Sequence, residues 1–241
     1  MTQDPSPTAA RPLSFVQRLI GIVISPGETM ASLAAYPRWA DMLVFTTLCV
    51  ALGFYLFLST DIGQAAYVDQ AVATMESFGQ TVTEQMYAGI QGQARYAGII
   101  QGVSIVFFSP VIAAVIAAVL FGIFTVLGGE AKFSQVFSVV VHAGVISVLQ
   151  QVFTLPVNYQ RQSMSSATNL SVFLPNLAEG SFVASFLGVI DLFWIWYVVV
   201  LAIGLGAVYR RKWTGVAGGL FVVYVLIGLI VATVKSVMGG R

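Results

Sequence analysis

The sequence predicts an all-α, polytopic membrane helical bundle with five transmembrane helices, an N-terminal interfacial helix and a helical outer loop. The chain of 241 residues is 58% hydrophobic and only 9% charged, with a mean hydropathy of +0.88. So few polar residues cannot cover a water-soluble fold. Five apolar runs reach the length of about 20 residues that crosses about 30 Å of lipid interior. The last two are separated only by the basic turn Arg210, Arg211, Lys212 and Trp213.

The N-terminal region divides into a tail and an interfacial segment. Residues 1–12 are rich in Pro, Ser and Thr and predict a disordered tail, without the features of a signal peptide. Residues 13–35 are predicted to form an interfacial helix. Their apolar residues recur at helical spacing, but the stripe is too short to span the bilayer. The stripe comprises Phe15, Val16, Leu19, Ile20 and Val23, with Ser14, Gln17, Arg18 and Gly21 off it. Trp39, beside Pro37 and Arg38, suits the water interface.

The membrane domain is predicted over residues 13–237. Its five spans cover about 42–58, 103–127, 133–155, 191–209 and 214–234. Residues 61–95 carry apolar side chains every three or four positions, which predicts an outer helix or helix pair that lies on the membrane or continues into the second span. Pro156 is expected to end the third span, and residues 158–180 to form an ordinary loop. The fourth span starts between Phe182 and Asp191, and a separate interfacial segment before it is an alternative.

The basic turn orients the chain. Clustered Lys and Arg beside a span face the cytoplasm, which places the N-terminus of a five-span chain in the cytoplasm and its C-terminus outside. Seven of the Lys and Arg residues then lie inside and four outside. Phe15, Leu19, Trp39, Arg210, Arg211 and Lys212 are the predicted membrane-interface residues.

Two ionisable residues lie within predicted spans, where each costs roughly 2.5 to 3.5 kcal/mol on insertion scales. At about 1.5 Å per residue, His142 lies roughly 14 Å above the inner edge at Phe133. Asp191 lies roughly 27 Å above the inner edge at Tyr209 by the same count. A proton relay between them is therefore not expected.

A polar layer is predicted at the level of Asp191, formed with Gln150, Gln151 and Ser109. Asp191 has two interpretations: it caps the start of the fourth span, or it lines a path for a solute. His142 is expected to be a neutral imidazole bonded to a Ser, Thr or Tyr of another helix. All five are candidate functional polar residues.

No catalytic, cofactor or metal site is predicted. The sequence has no G-x-S-x-G, P-loop or H-E-x-x-H motif and only one histidine, so we do not expect an enzyme. The single cysteine, Cys49, is interpreted as a packing residue. Eleven scattered cations do not form the basic face that nucleic acid requires.

Pairs of small residues four positions apart predict close helix packing. They are Gly215/Gly219, Ala202/Gly206, Ala113/Ala117 and Ala114/Ala118. We assign these faces to the interior of the bundle, with a homo-oligomer seam as the alternative.

Three segments resemble the Yip family of Ypt/Rab-interacting integral membrane proteins, in its bacterial branch. They are RLIGIVISPGETMASL, LGGEAKFSQVFSVVVHAG and DLFWIWYVVVLAIGLGAVYRRKWTG, and the likeness covers about Phe15 to Val234. The resemblance implies a five-span helical domain with a cytoplasmic N-terminus, here in a bacterial inner membrane. Eukaryotic members are associated with Rab GTPases, but this chain has ADMLV at residues 40–44 in place of their D-L-Y-G-P segment, so that partner is not carried over.

The expected function is that of a non-enzymatic scaffold or assembly factor. Its partners would be the lipid bilayer and other membrane proteins, contacted through the interfacial helix. The alternative is a small-solute or lipid translocator that uses the polar layer.

Overall fold

The computed structural model describes residues 11–174, 176–177 and 181–239; the predicted tail lies almost entirely outside them. Within these residues the secondary structure is helical, and Asn169 and Asp191 form an isolated β-bridge. The α-helices are α1 Phe15–Ile24, α2 Pro26–Ala35, α3 Ala40–Leu58, α4 Asp61–Ser77, α5 Glu84–Ala94, α6 Ala97–Val126, α7 Phe133–Ala143, α8 Val145–Arg161, α9 Phe182–Val189, α10 Leu192–Tyr209 and α11 Trp213–Gly239. A 3₁₀ helix covers Leu170–Phe173.

Five helical segments are long and apolar enough to cross a membrane: α3, α6, α7 with α8, α10 and α11. The predicted polytopic bundle is therefore confirmed. Two predicted boundaries are wrong: α6 begins at Ala97 rather than 103, and α8 continues past Pro156 to Arg161. Proline removes one backbone hydrogen bond but need not end a membrane helix whose neighbours compensate. Part of the predicted loop at 158–180 is thus helical.

The bundle has two distinguishable ends. The basic end holds the α10–α11 turn and the α6–α7 turn, and Arg211 Nη2 donates to the Leu127 carbonyl at 2.7 Å between them. The loop end holds α4, α5 and residues 162–190 before α10. The helix pair predicted over residues 61–95 is present as α4 and α5, whose N-cap residues are Thr60 and Thr83.

The core lies around α7, and α2 belongs to it. Met30 and Leu33 on α2 are fully buried, as is Val139 on α7. A Cβ atom on Gly204 of α10 would lie 2.9 Å from Met30 Sδ, so the glycine permits this close approach. Helix α2 therefore contributes to the interior of the bundle.

Helices α1 and α2 form the N-terminal hairpin, residues Phe15–Ala35. Ser14 and Gln17 cap the start of α1 reciprocally. The exposed side of α1 is an apolar stripe: Val16, Ile20 and Ile24 are 57%, 50% and 74% exposed. Of the residues off the predicted stripe, Arg18 and Gly21 are buried together with Ile22, whereas Ser14 and Gln17 are exposed.

The small-residue pairs fall into two groups. Ala117, Ala202 and Gly206 are buried, in agreement with an interior position, and Ala113 and Ala114 are half-buried. Ala118 is exposed, so its predicted place in the interior is wrong. Gly215 and Gly219 on α11 are exposed, and a Cβ on either would meet nothing within 4 Å. Their predicted place in the interior is wrong, because α11 packs on α10 and α9 while other residues of this helix, Val216, Ala217 and Ala232, are buried.

Candidate functional site

The first polar centre joins Arg18, Asp41 and His142, which we call the Arg18 centre. Arg18, on α1, is only 2% exposed and forms an ion pair with Asp41 in the first turn of α3. Its Nη1 donates to Asp41 Oδ1 at 3.1 Å and to the Arg38 carbonyl at 3.2 Å. The same atom lies 3.0 Å from His142 Nε2 on α7.

These contacts define the tautomer of His142. Its Nδ1 lies 2.7 Å from the Ser138 carbonyl oxygen, which can only accept a hydrogen bond, so Nδ1 carries the proton. Nε2 then accepts from the Arg18 guanidinium, which can only donate. His142 is therefore held as a neutral imidazole, as expected, but the expected Ser, Thr or Tyr partner is wrong.

The Arg18 centre ties the N-terminal hairpin to two spans. A buried guanidinium is tolerated only when it is paired and hydrogen-bonded, so α1 stays docked while Asp41 and His142 are in place. Sequence reasoning placed Arg18 off the apolar stripe and did not pair it. The available signal was a pair of opposite charges, Arg18 and Asp41, in neighbouring apolar helices.

The second polar centre surrounds Asp191 at the loop end. Asp191 is 4% exposed and is the N-cap residue of α10, which is the position that the capping interpretation describes. Its carboxylate accepts five hydrogen bonds, from Phe193 N (2.8 Å), Trp194 N (3.3 Å), Ser166 Oγ (2.7 Å), Thr168 Oγ1 (2.5 Å) and Gln150 Nε2 (3.3 Å). Its backbone N–H donates to Tyr224 Oη at 3.2 Å.

The structure brings only Gln150 of the predicted polar layer to Asp191. Gln151 Nε2 instead donates to the Val50 carbonyl of α3 at 2.9 Å. Ser109 Oγ lies 3.1 Å from Thr47 Oγ1, between α6 and α3. Ser166, Thr168 and Tyr224 were missed because loop residues and distant helices meet there only in the folded chain.

Two small cavities adjoin these groups. The α3–α8 cavity, of about 240 Å³, is lined on its polar side by Gln150, Gln151, Asn158, Ser147, Thr154 and Ser166 and on its apolar side by Val50, Phe54, Phe57, Leu155 and Met164. A second cavity of about 240 Å³ includes Ser109, Thr47 and Tyr197 and shares Val50 and Ser147 with the first. The predicted layer therefore divides between two adjacent spaces.

The predicted membrane-interface residues occupy the basic end. Phe15 packs edge-on against Phe45 with ring centroids 5.4 Å apart, and Leu19 is half-buried. Trp39 packs against Phe137 with ring centroids 5.0 Å apart. The basic turn, Arg210 to Lys212, is exposed. In the described part of the chain no group of three or more His, Cys, Asp or Glu side chains could hold a metal ion.

Fold and site together define a class: a polytopic helical membrane protein with five candidate spans, an N-terminal hairpin docked by a buried arginine, and a capped polar centre at the opposite end. A sequence profile of the Yip1 domain matches residues 20–234. The chain belongs to the Yip1 domain family, as the resemblance of its motifs predicted. Comparisons with curated proteins and with solved structures gave no match.

Proposed function

We propose that this Yip1 domain protein is a non-catalytic scaffold for other membrane proteins, and that α1 is its contact surface. The observation that carries the proposal is the exposed stripe Val16, Ile20 and Ile24, held on a helix that buried Arg18 fixes to α3 and α7. A contact surface on a fixed element loses less conformational entropy on binding than a mobile one. A helix of ten residues is too short to span the bilayer by itself.

The proposed setting is a bacterial inner membrane, with the basic end at the cytoplasmic side and the C-terminus outside. The exposed Arg210, Arg211 and Lys212 support this orientation through the positive-inside tendency. It is tested in a Cys49→Ser background with an impermeant maleimide added to intact cells. Gln80→Cys, in the α4–α5 connection, should react from outside and Arg211→Cys only after lysis; the reverse pattern would invert the orientation.

Translocation is the weaker proposal. The carboxylate of Asp191 already accepts five hydrogen bonds, which leaves it little capacity for a passing solute. Ser109, the other predicted path residue, is engaged with Thr47.

The scaffold proposal is tested by placing a photo-crosslinking amino acid at position 20 in the full-length protein in cells. The matched control is position 123 on α6, because Ile20 and Ile123 are the same residue type and are 50% and 49% exposed. The expected result is a reproducible adduct with one membrane protein from position 20, absent from position 123 and abolished by Val16→Asn. Identical adducts from both positions, or lipid adducts alone, would contradict a scaffold role for α1.

A further inference from the structure

We propose that the α3–α8 cavity binds the ammonium group of a small amine, either free or as the headgroup of a lipid. The inference goes beyond the scaffold role and concerns the opposite end of the bundle. The cavity, at about 240 Å³, is smaller than the roughly 300–1,000 Å³ of sites for drug-sized ligands. It fits a compact group rather than an extended organic molecule.

The two glutamines present acceptors to the cavity. Gln150 Nε2 donates to the carboxylate of Asp191, and Gln151 Nε2 donates to the Val50 carbonyl. Both partners can only accept, so each amide must direct its N–H edge toward them. In the described part of the chain no hydrogen bond engages either carbonyl oxygen, and both side chains line the cavity.

Asn158 adds a third acceptor. Its Oδ1 is buried and has no hydrogen-bond partner, and Asn158 lines the same cavity. A buried acceptor without a partner is costly, and such groups commonly mark a place where a ligand or a water molecule donates a hydrogen bond. Three amide side chains that line one small cavity suit a ligand with several N–H donors.

Charge and ring chemistry favour a cation as the donor. None of the residues that line the cavity is basic, and two of them, Gln150 and Ser166, donate hydrogen bonds to the Asp191 carboxylate. The apolar wall supplies the aromatic rings of Phe54 and Phe57. Aromatic faces attract an ammonium ion, and the negative charge of the Asp191 carboxylate, which is bonded to Gln150 and Ser166, disfavours an anion.

Two residues around the cavity position its acceptors without lining it. Asp191 fixes the orientation of the Gln150 amide. Gly53 leaves room for Gln151, because a Cβ at this position would lie 2.5–2.7 Å from the atoms of that amide. Of the predicted polar layer, Asp191 is thus a positioning residue, and Gln150 and Gln151 are ligand acceptors.

The experiment measures binding by calorimetry on the purified full-length protein, with ethanolammonium chloride and choline chloride as probes. Both are monovalent cations, but choline has no N–H group. We expect saturable binding of ethanolammonium, with choline weaker by about tenfold or more, since a hydrogen bond to a charged group contributes about 1.5–3 kcal/mol. Equal binding of the two probes would overturn the proposal.

Variants at position 158 test the site itself. Asn158→Leu should weaken ethanolammonium binding by about tenfold or more, and Asn158→Asp should strengthen it, because it adds a carboxylate. Ser109→Ala, in the adjoining cavity, is the control that should leave binding unchanged. Thermal unfolding checks that Asn158→Asp is folded. If the folded variant binds ethanolammonium no more tightly than wild type does, the assignment is also refuted.

A lipid arm distinguishes the source of the amine. The wild type and Asn158→Leu are placed in nanodiscs that contain phosphatidylethanolamine and phosphatidylcholine, and the retained lipid is measured by mass spectrometry. If the headgroup is the ligand, the wild type should enrich phosphatidylethanolamine and Asn158→Leu should abolish this enrichment. Binding of free ethanolammonium without this enrichment supports a free amine. If wild type and Asn158→Leu give the same ethanolammonium binding and the same lipid enrichment, the proposal is overturned. The crosslinking result at position 20 would be unaffected by that outcome.

Discussion

The Arg18 centre makes an asymmetric prediction: losing Asp41 should harm the N-terminal hairpin more than losing Arg18. Asp41→Asn keeps the shape of the side chain but leaves the guanidinium of Arg18, which is 2% exposed, without its counter-charge. Arg18→Met removes the buried charge itself and keeps an unbranched side chain of similar length. The two variants therefore break the same ion pair from opposite sides.

The magnitudes follow from burial. Breaking a buried ion pair by removing one partner costs about 3–5 kcal/mol, and the 47% exposure of the Asp41 side chain places Asp41→Asn at the lower end, about 3 kcal/mol. In Arg18→Met the half-exposed Asp41 can be rehydrated. What remains is the buried Nε2 of His142 without its donor, at about 1–3 kcal/mol. The double variant should resemble Arg18→Met.

Hydrogen–deuterium exchange of α1 amides in the purified protein measures this difference, because local opening of the hairpin exposes those amides. A loss of about 3 kcal/mol accelerates exchange by about 150-fold, since 1.4 kcal/mol is a factor of ten. Amides of α11 should be unchanged and serve as the internal control. If Arg18→Met accelerates α1 exchange more than Asp41→Asn does, the account of a buried charge that needs its partner is incorrect.

Two further predictions concern glycines. Gly53→Ala should lower stability by about 1–3 kcal/mol, because the new Cβ would meet the Gln151 amide. Thermal unfolding measures this loss of stability. The control is Gly122→Ala, which should not be destabilised because nothing lies within 4 Å of the new Cβ. An equal loss in both variants would contradict the steric reason. Gly219→Ile should leave the midpoint of unfolding unchanged, because the new side chain enters open space. A destabilised protomer would mean that this face is covered within the chain. Crosslinking of the protein in membranes then shows whether the face joins two copies.

The small-residue pairs show how far sequence patterns reach. The spacing of Gly215 and Gly219 identifies a helix face on which backbones can approach closely. It carries no information on whether the approaching helix is in the same chain. Ala202 and Gly206 have the same spacing and are buried. Only the packing of α11 decides between the two outcomes.

The polar residues show the same division. Hydropathy is enough to mark His142 and Asp191 as costly in a span, and counting the rise per residue separates them in depth. Their partners cannot be counted in this way. His142 meets Arg18 over 124 positions of the chain, and Asp191 meets Ser166 and Thr168 from a loop.

The sequence by itself determined the class of protein, the five apolar segments and the family, because bilayer thickness and backbone hydrogen bonding constrain every spanning helix in the same way. The tertiary structure decided which face of α1 is buried, that α2 joins the core, and that Pro156 lies inside a helix. It also decided which side chains line the α3–α8 cavity. The physical reason is that lipid and protein interior are both apolar, so hydropathy alone cannot tell a helix face that meets another helix from one that meets lipid.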